Sequence, residues 1–401
     1  MRILIAESSQ YVAFHGQAIF TINLAEGLAR RGHEVMVVAN SERGKPYHAW
    51  RHGVEVSAVR SMSLNLFHPD TTVPYPPQKA LEEIFDTFKP EIVHIQDHYS
   101  LSHEVVSLAH KRGIKTVGTN HFMPENLAPY IPVLSKIKPA YDLVLWRWMQ
   151  QTYGHLDAVT SPSRTAATLV REAGLDQPVF PISCGVNTTL FQPDPAVDKC
   201  FWREHYGMDP NRMIFFFVGR VDKEKRLDVL LDAVYLLDRD DIQLVIGGKG
   251  ADLAELEAKA RKLDLGKKVH FTGFIPNDDL PEILNSIDVF VMPSEAELLS
   301  ISTLEAMACR RPLMLARAVA LPELVDENVN GRLFSPGDAA DAAHCLDWFA
   351  SHPERWNDMG EASFRKVRAH SLENTICRYE QLYETLIRDG SSANFRDADC
   401  E

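Results

Sequence analysis

The sequence predicts an α/β protein with two Rossmann-like, doubly wound domains, and three observations lead to this fold class. Short apolar segments that suit strands alternate with longer segments that suit amphipathic helices, which is the pattern of repeated β–loop–α units. The alternation breaks at residues 183–195, where Cys-Gly-Val-Asn precedes a proline-rich run, and then begins again. A chain of 401 residues is also long for a single hydrophobic core. We therefore predict one domain over residues 1–185 and a second over residues 186–370.

In the first domain, the predicted strands and helices alternate, except that no helix is predicted between the strands 115–119 and 158–160. The strands are short apolar runs, and three of the helices are followed by Gly32, Gly113 and Gly174, which suit helix ends. The predicted strands are 3–6, 34–39, 91–95, 115–119 and 158–160, and the predicted helices are 18–31, 78–87, 102–111 and 163–172. The carboxyl ends of such strands meet at one edge of the sheet, where folds of this kind bind their ligands.

The second domain repeats the pattern. The predicted strands are 213–218, 243–246, 269–271, 289–292 and 313–316, and the predicted helices are 227–237, 253–263, 279–286, 301–309 and 339–350. Two such units that face each other would form a deep cleft between the domains, which is a common place for a small-molecule site.

Composition and charge exclude several classes of protein. Contents of 45% hydrophobic and 24% charged residues are ordinary for a globular protein, and no apolar run is long enough to span a bilayer. The net charge of −13 and the lack of a basic stripe argue against nucleic acid as a partner. The first six residues resemble a strand without a small-residue cleavage site, which favours the cytoplasm. The six cysteines contain no Cys-x-x-Cys pair, so we expect reduced thiols and no zinc site.

Two carboxylates, Glu297 and Glu305, lie eight positions apart around the start of a predicted helix. The strand before them ends at Pro293 and Ser294, so Glu297 lies in a strand–turn–helix corner of the kind that binds ligands. The helix N-terminus offers free N–H groups and a positive dipole end to an anion. A sugar or ribose hydroxyl can reach Glu297 in that turn, and Glu305 lies about two helical turns further on.

Two glycine turns follow strands of the second domain. In the segment 217–226, Gly219 permits a tight turn, and Arg220 and Lys225 are two cations that suit two phosphates of one ligand. An ordinary basic turn explains this segment equally well. The turn 246–250, Ile-Gly-Gly-Lys-Gly, is not a dinucleotide fingerprint. It allows the backbone to approach a ligand or a neighbouring loop, or it is a plain turn.

In the first domain, Gly16, His98 and His121 follow predicted strands and therefore lie toward the predicted cleft. Gly16 can place backbone N–H groups against a phosphate, or it is an ordinary loop glycine. Each histidine can bind sugar hydroxyls or an acceptor, and the alternative is a loop histidine that binds no ligand.

A stretch at 136–149 mixes basic residues with aromatic ones, among them Trp146 and Trp148. It suits peripheral contact with a membrane interface, and the competing interpretation is a core helix with two partly buried tryptophans. Asp238 and Asp240 have a spacing found in metal sites. They lie in a loop away from the edge that binds ligands, so we predict no metal.

Several motifs together resemble the retaining glycosyltransferases of family 4, which have the GT-B fold. The pattern of Glu297, seven residues, Glu305 and then Ala-Met-Ala is similar to the signature of that family. Further matching segments are 23–35, 181–193, 269–276, 286–294 and 321–325, so the resemblance covers nearly the whole chain. In this fold we assign the C-terminal helix 371–390 to the first, acceptor-side domain.

The resemblance implies that the donor is a nucleotide-diphosphate sugar, UDP- or GDP-hexose, held mainly by the second domain without a metal or a further cofactor. Arg220 and Lys225 would hold the diphosphate, Glu305 the ribose and Glu297 the donor sugar. His121 would approach the transferred hexose and, with Arg220, Lys225 and Glu297, is implied to be catalytic. The acceptor hydroxyl would be the nucleophile. The residues implied in donor binding are Gly16, Gly219, Arg220, Lys225, Gly273, Phe274, Ile275, Glu297, Leu299, Ser300 and Glu305.

The chain departs from the family pattern at three places. Residues 298–300 are Leu-Leu-Ser where the family has a small residue, Phe and Gly, which alters the wall beside the donor sugar. Arg226 and Arg310 stand where the family usually has glycine, and each either contacts a phosphate or lies in solvent.

These observations predict a retaining hexosyltransferase of the cytoplasm. Because the stretch 136–149 belongs to the acceptor-side domain, the favoured acceptor is a lipid or glycolipid, with the enzyme at the inner face of the membrane. The alternatives are a nucleotide-sugar epimerase or sugar phosphorylase on the same fold, and a non-catalytic nucleotide-sugar-binding protein.

Overall fold

A computed structural model of the chain describes residues 1–9, 11, 16–63, 72–75, 77–124 and 138–395. The chain divides into two units, Met1–Gly185 with Leu372–Glu401, and Val186–Ser371. Each unit is built on its own sheet, with helices between the strands. The sheet of the first unit is mostly parallel and that of the second is wholly parallel, which confirms the predicted α/β class. The cleft between the two units stays a prediction.

The first unit contains an eight-stranded sheet in the order β10-β9-β8-β7-β1-β2-β4-β3, in which every neighbouring pair except β3 and β4 is parallel. The strands are β1 (Arg2–Glu7), β2 (Glu34–Asn40), β3 (Tyr47–Arg51), β4 (Val54–Val59), β5 (Ser61–Ser63), β6 (Thr72–Pro74), β7 (Ile92–Ile95), β8 (Lys115–Thr119), β9 (Ala158–Ser161) and β10 (Val179–Pro181). The helices are α1 (Gly16–Arg30), α2 (Gln78–Phe88), α3 (Ser100–Lys111), α4 (Lys138–Tyr153) and α5 (Arg164–Glu172). Strands β5 and β6 form a separate antiparallel pair.

The β3–β4 hairpin at the edge of this sheet was absent from the sequence prediction. Its two-residue turn is His52-Gly53, and both residues have positive φ, 46° and 86°. A two-residue turn with positive φ at both positions matches the right-handed twist of the flanking strands, and Asn-Gly is its usual sequence signal. Histidine hides that signal, because the pair His-Gly is not one of the residue pairs that mark such a turn in a sequence.

The second unit contains a six-stranded, wholly parallel sheet in the order β13-β12-β11-β14-β15-β16. Its strands are β11 (Met213–Val218), β12 (Ile242–Gly247), β13 (Val269–Gly273), β14 (Val289–Met292), β15 (Leu313–Ala316) and β16 (Gly331–Phe334). Its helices are α6 (Lys199–His205), α7 (Leu227–Leu236), α8 (Leu253–Lys262), α9 (Leu280–Ser286), α10 (Ile301–Ala308), α11 (Ala339–Ser351) and α12 (Trp356–Val367). Counted within the unit, this order is 3-2-1-4-5-6, the Rossmann order, and its direction reverses between β11 and β14.

The last helix, α13 (Leu372–Asp389), packs on the first unit through a buried polar network. The His94 ring contacts the Tyr383 hydroxyl through Nδ1 and the Thr119 hydroxyl through Nε2, both at 2.7 Å. The Tyr379 hydroxyl lies 2.9 Å from the hydroxyls of both Thr119 and Thr160. Burial lowers the pKa of His94 to about 3, so the ring is neutral. The hydroxyls of Tyr379 and Tyr383, which α13 buries, therefore both have partners on the sheet.

The cysteines differ in their chemical state. Cys184, Cys309 and Cys345 are buried free thiols, and Cys200 is an exposed one. Cys377 on α13 is disulfide-bonded, so the expectation of reduced thiols is wrong at that position.

Candidate functional site

The candidate site of the second unit lies where its strand order reverses, at the carboxyl ends of β11 and β14. The loops that follow these strands are held together through one carbonyl. The Glu224 carbonyl accepts hydrogen bonds from the Ser294 hydroxyl and from the Glu295 backbone N–H, each at 3.2 Å. A crevice at such a reversal is where open α/β sheets bind ligands, and these two loops carry six of the predicted donor residues, among them both predicted cations.

Lys225 and Glu297, which are far apart in sequence, form an ion pair across these loops. Lys225 Nζ lies 2.5 Å from Glu297 Oε1, and only 15% and 12% of the two side chains are exposed. Arg220, on the same loop as Lys225, is half-exposed and pairs with Asp222 at 2.7 Å and with Glu224 at 2.8 Å. The structure therefore brings Lys225 and Glu297 together, and each predicted cation already has a carboxylate partner.

Helix α10 begins at this crevice with its own cap. The Ser300 hydroxyl accepts hydrogen bonds from the Thr303 backbone N–H at 3.3 Å and from the Thr303 hydroxyl at 2.7 Å. Leu298 is buried, and Leu299 packs against the core of the unit. Of the residues that depart from the family pattern, the two leucines are therefore apolar packing residues and Ser300 is the cap of α10. A donor contact of Leu299 or Ser300 stays a prediction.

Glu305, in the second turn of α10, is a carboxyl in an apolar setting. Part of its side chain stays accessible, but its carboxyl makes no hydrogen bond to any residue that the structure describes. Desolvation by burial raises its pKa to about 8, with no cation to oppose the shift. Near neutral pH the group is therefore largely protonated, and it can donate a hydrogen bond to a hydroxyl as well as accept one.

The glycine turn after β12 is explained by close contact with the neighbouring loop. A Cβ atom on Gly248 would lie 1.9 Å from the Gly219 carbonyl oxygen, and one on Gly250 would lie 2.2 Å from the Val221 carbonyl oxygen. The Val221 N–H donates to the Lys249 carbonyl at 2.9 Å. Of the alternatives left open by the sequence, approach to a neighbouring loop is therefore the one observed. The same packing holds Gly219 and the loop that carries Arg220.

The predicted nucleobase segment follows β13. Gly273 has a φ of +71° and open space around its α-carbon, Phe274 is exposed, and Ile275 is buried next to Gly247. Lys249 Nζ lies 5.6 Å from the centre of the Phe274 ring, within cation–π range. Sequence reasoning did not assign Lys249 a role, although its position in a glycine turn at a strand end was the available signal.

The two arginines at family glycine positions both have left-handed backbones, with φ of 49° at Arg226 and 57° at Arg310. Glycine adopts this conformation without steric cost, which explains why it is usual there. Arg226 pairs with Asp228 and Glu295, whereas Arg310 pairs with Glu361 at 3.0 Å and packs over an aromatic ring. Neither arginine simply lies in solvent, because each is held by carboxylates of its own unit.

In the first unit, a cavity of about 130 Å³ lies at the carboxyl ends of β7 and β8. Its lining residues are Gln17, Gln96, Asp97, His98, Tyr99, His121, Phe122 and Tyr153. His121 Nε2 lies 3.2 Å from Gln96 Oε1, so the predicted catalytic histidine lines this cavity. Gly16 is the exposed first residue of α1, and residues 13–15 before it lie outside the described residues.

His98 is buried among aromatic rings. Its ring centre lies 4.6 Å from that of Trp148, 4.7 Å from Tyr99 and 4.8 Å from Phe122. Neither ring nitrogen has a hydrogen-bond partner among the described residues, and burial lowers the pKa of His98 to about 4. The side chain is therefore a neutral, packed histidine, which is closer to the alternative without a ligand.

Helix α4 packs one part of the stretch 136–149 against the core and exposes another, and contact with a membrane stays a prediction. Met149 is buried and Trp146 packs against the core, whereas Leu143, Val144 and Trp148 are exposed. Residues 136 and 137 lie outside the described residues, and only the backbone of residues 138–141 is described. Within the described residues, the structure contains no helix that is both long and apolar enough to cross a membrane.

Comparisons with known proteins agree with this architecture. A family model for glycosyl transferases group 1 matches residues 198–366, and one for glycosyltransferase family 4 matches residues 14–190. A D-inositol 3-phosphate glycosyltransferase of Catenulispora acidiphila is 28% identical, covering 76% of this chain and 73% of that protein. A sulfoquinovosyl transferase of Arabidopsis thaliana is 27% identical, covering 94% and 72%.

Among solved structures, the Anabaena protein HepE in complex with UDP superimposes with a TM-score of 0.77 over 96% of this chain and 100% of that one, at 17% identity. This likeness, together with the two parallel-sheet units, shows the GT-B fold. With both family models matched in succession along the sequence, the chain belongs to glycosyltransferase family 4.

Proposed function

We propose that this glycosyltransferase moves a hexose from UDP- or GDP-hexose to an acceptor hydroxyl with retention of the anomeric configuration. The observation that carries the proposal is the largely buried Lys225–Glu297 pair at the strand-order reversal of the second unit. It places a cation for a phosphate next to a carboxylate for a sugar hydroxyl, as a sugar diphosphate requires. The UDP bound to the similarly folded Anabaena protein supports a nucleotide donor.

The chemistry proposed for this site is stabilisation of the leaving group. Arg220 and Lys225 bind the diphosphate, and the N-terminus of α10 adds its dipole. As the bond from the anomeric carbon to the phosphate oxygen breaks, the acceptor oxygen bonds to the same face of that carbon. The acceptor proton leaves late, onto the departing phosphate. Two cations and a helix end can supply this stabilisation, so we propose a reaction without a metal or a separate cofactor.

The nucleoside half of the donor is assigned to Glu305 on α10 and to the segment that follows β13. Glu305 has an apolar setting and no protein partner among the described residues, which suits hydrogen bonds to two ribose hydroxyls. Phe274 offers an exposed ring on which a base can stack, with Lys249 beside it. The backbone around Gly273 is open enough for a base to approach.

The acceptor is assigned to the first unit, at the cavity that His121 lines. A lipid or glycolipid fits this unit best, because α4 exposes Leu143, Val144 and Trp148 on one surface. We therefore propose a cytoplasmic enzyme that contacts the inner face of the membrane. Flotation with vesicles tests this: binding should fall in the variant Leu143→Ser/Val144→Ser, and equal flotation of both proteins would refute the contact.

A panel of nucleotide-diphosphate sugars in a thermal-shift assay tests the donor assignment. A ligand that binds only the folded protein raises the unfolding midpoint by mass action, and Glu297→Ala should reduce the rise for the sugar nucleotide more than for UDP or GDP alone. The absence of a shift with every compound would refute the proposal.

The same donor then distinguishes the competing activities. Interconversion of the nucleotide sugar without any acceptor would indicate an epimerase, and release of sugar phosphate on addition of inorganic phosphate would indicate a phosphorylase. Binding without turnover in the presence of a lipid extract would favour the non-catalytic alternative. Turnover that requires an acceptor and leaves UDP or GDP is the expected result.

A further inference from the structure

The loops after β11 and β14 are joined by ion pairs formed by adjacent residues of the β11 loop. Lys225 pairs with Glu297, and the next residue, Arg226, pairs with Glu295 through Nη1 and Oε1 at 2.5 Å. The backbone of Glu295 is hydrogen-bonded to the same β11 loop at 3.2 Å. The Arg226–Glu295 pair is therefore one residue away from Lys225 on the β11 loop and two residues away from Glu297 on the β14 loop.

The Arg226 side chain is held on several sides. Its Nε lies 3.2 Å and its Nη2 3.4 Å from the two carboxylate oxygens of Asp228, while Nη1 binds Glu295. A Cβ atom on Gly337 would lie 3.3 Å from Glu295 Oε1 and 3.6 Å from Arg226 Nη1, so a third loop packs against the pair. The guanidinium is thus engaged by its own unit in a forked geometry that a lysine could not reproduce.

We propose that Arg226 is a positioning residue for the donor: it acts through Glu295 to hold the β14 loop, and with it Glu297 and Lys225, in the geometry that accepts a sugar diphosphate. This inference rests on the proposed function and deepens it. It concerns a feature of this chain, because the family usually has glycine at this position and therefore no such pair.

Charge gives a second reason for the effect. These loops and the start of α7 carry five carboxylates against four cations. The carboxylates are Asp222, Glu224, Asp228, Glu295 and Glu297, and the cations are Arg220, Lys223, Lys225 and Arg226. Removal of Arg226 would leave the Glu295 carboxylate without its cation, two residues from Glu297. That charge would repel an anionic diphosphate and would compete with it for Lys225.

Arg310 provides a matched control. It too replaces glycine with a left-handed backbone, at φ of 57° against 49° for Arg226, so Arg→Gly relieves similar strain at both positions. Its ion pair is with Glu361 on α12, and it stacks over Phe364 of the same helix. Both substitutions remove one arginine from a left-handed position. Arg226→Gly removes two ion pairs and Arg310→Gly removes one, but only the substitution at position 226 touches the donor loops.

The experiment compares wild type, Arg226→Gly and Arg310→Gly as full chains. Hydrogen exchange of residues 294–300 without nucleotide should rise in Arg226→Gly and stay at the wild-type level in Arg310→Gly. By calorimetry, UDP and GDP should bind roughly five- to tenfold more weakly to Arg226→Gly, as expected for loss of a charge-assisted contact. Arg310→Gly should bind as wild type does. Equal exchange or equal affinity in the two variants would overturn the inference.

Glu295→Gln completes a double-mutant cycle. If Arg226 acts through Glu295, Arg226→Gly should add little in the Glu295→Gln background, so the two losses should not multiply. Independent, multiplicative losses would overturn the inference. If wild type binds neither UDP nor GDP, the proposed function fails, and the exchange comparison without nucleotide still decides whether Arg226 holds the loop.

Discussion

The substitution Glu305→Gln should stabilise the second unit, and more so as the pH rises. Burial raises the pKa of this carboxyl from 4.5 to about 8, so the folded protein holds a proton that the unfolded chain releases. Below pH 4.5 the group is protonated in both states and contributes no pH dependence. As the pH rises toward 8, ionisation is favoured only in the unfolded chain, and wild type loses stability. Glutamine does not titrate, so the variant escapes this loss.

The size of the effect follows from the two acid constants. One pKa unit corresponds to about 1.4 kcal/mol. The rise of the Glu305 pKa from 4.5 to about 8 therefore lowers the unfolding free energy of wild type by at most about 5 kcal/mol at pH 8.5. Part of the side chain is accessible to water, which screens the charge and allows relaxation, so we expect about 1–3 kcal/mol. The free-energy difference between variant and wild type should grow by this amount between pH 5 and pH 8.5.

Hydrogen exchange of β14 and β15 measures the opening free energy of the second unit by itself, since both strands lie in its core. Glu7 of the first unit, whose pKa burial raises to about 7, then leaves the comparison unaffected because it is common to both proteins. Any constant effect of the amide cancels between the two pH values. A difference that stays constant from pH 5 to pH 8.5 would refute the reasoning, because Glu305 would then ionise as an exposed carboxyl does.

Three further outcomes are expected. Lys225→Ala should weaken UDP and GDP binding at least tenfold in calorimetry, since a phosphate contact is lost and Glu297 is left without its cation; unchanged affinity would contradict the site. Ser300→Ala should lower the unfolding free energy by about 1 kcal/mol in urea titrations through loss of the α10 cap, and no measurable change would show that the cap is unimportant. Gly248→Ala should cost more than about 2 kcal/mol because its Cβ would lie 1.9 Å from a carbonyl oxygen, whereas Gly266→Ala, with nothing within 4 Å, should be nearly neutral; similar values for the two would argue against the loop packing.

The core strands of both sheets could be predicted because they are buried on both faces and therefore form continuous apolar runs. The run 289–292 is an example, and the structure has β14 with the same bounds. Edge elements carry less signal. Strand β16, Gly-Arg-Leu-Phe, has only two fully buried residues, and no strand was predicted there.

For the candidate site, sequence spacing and resemblance brought out Lys225 and Glu297, and the fold places these residues on facing loops. The pairing of Arg226 with Glu295 could not be predicted, since it depends on the register of two loops 69 positions apart. The raised pKa of Glu305 was equally hidden, because it arises from the surroundings of the carboxyl and not from its neighbours in sequence.

The assignment of α13 to the first unit has a consequence for folding during synthesis. Residues 186–371 form the second unit as one continuous segment, so this unit is complete as soon as that segment has left the ribosome. The first unit, although its sheet is made earlier, still lacks Tyr379 and Tyr383, which are buried in it, and Tyr383 is a hydrogen-bond partner of His94. The unit that is translated first is therefore completed last. Until α13 packs on its sheet, His94 lacks the contact with the Tyr383 hydroxyl.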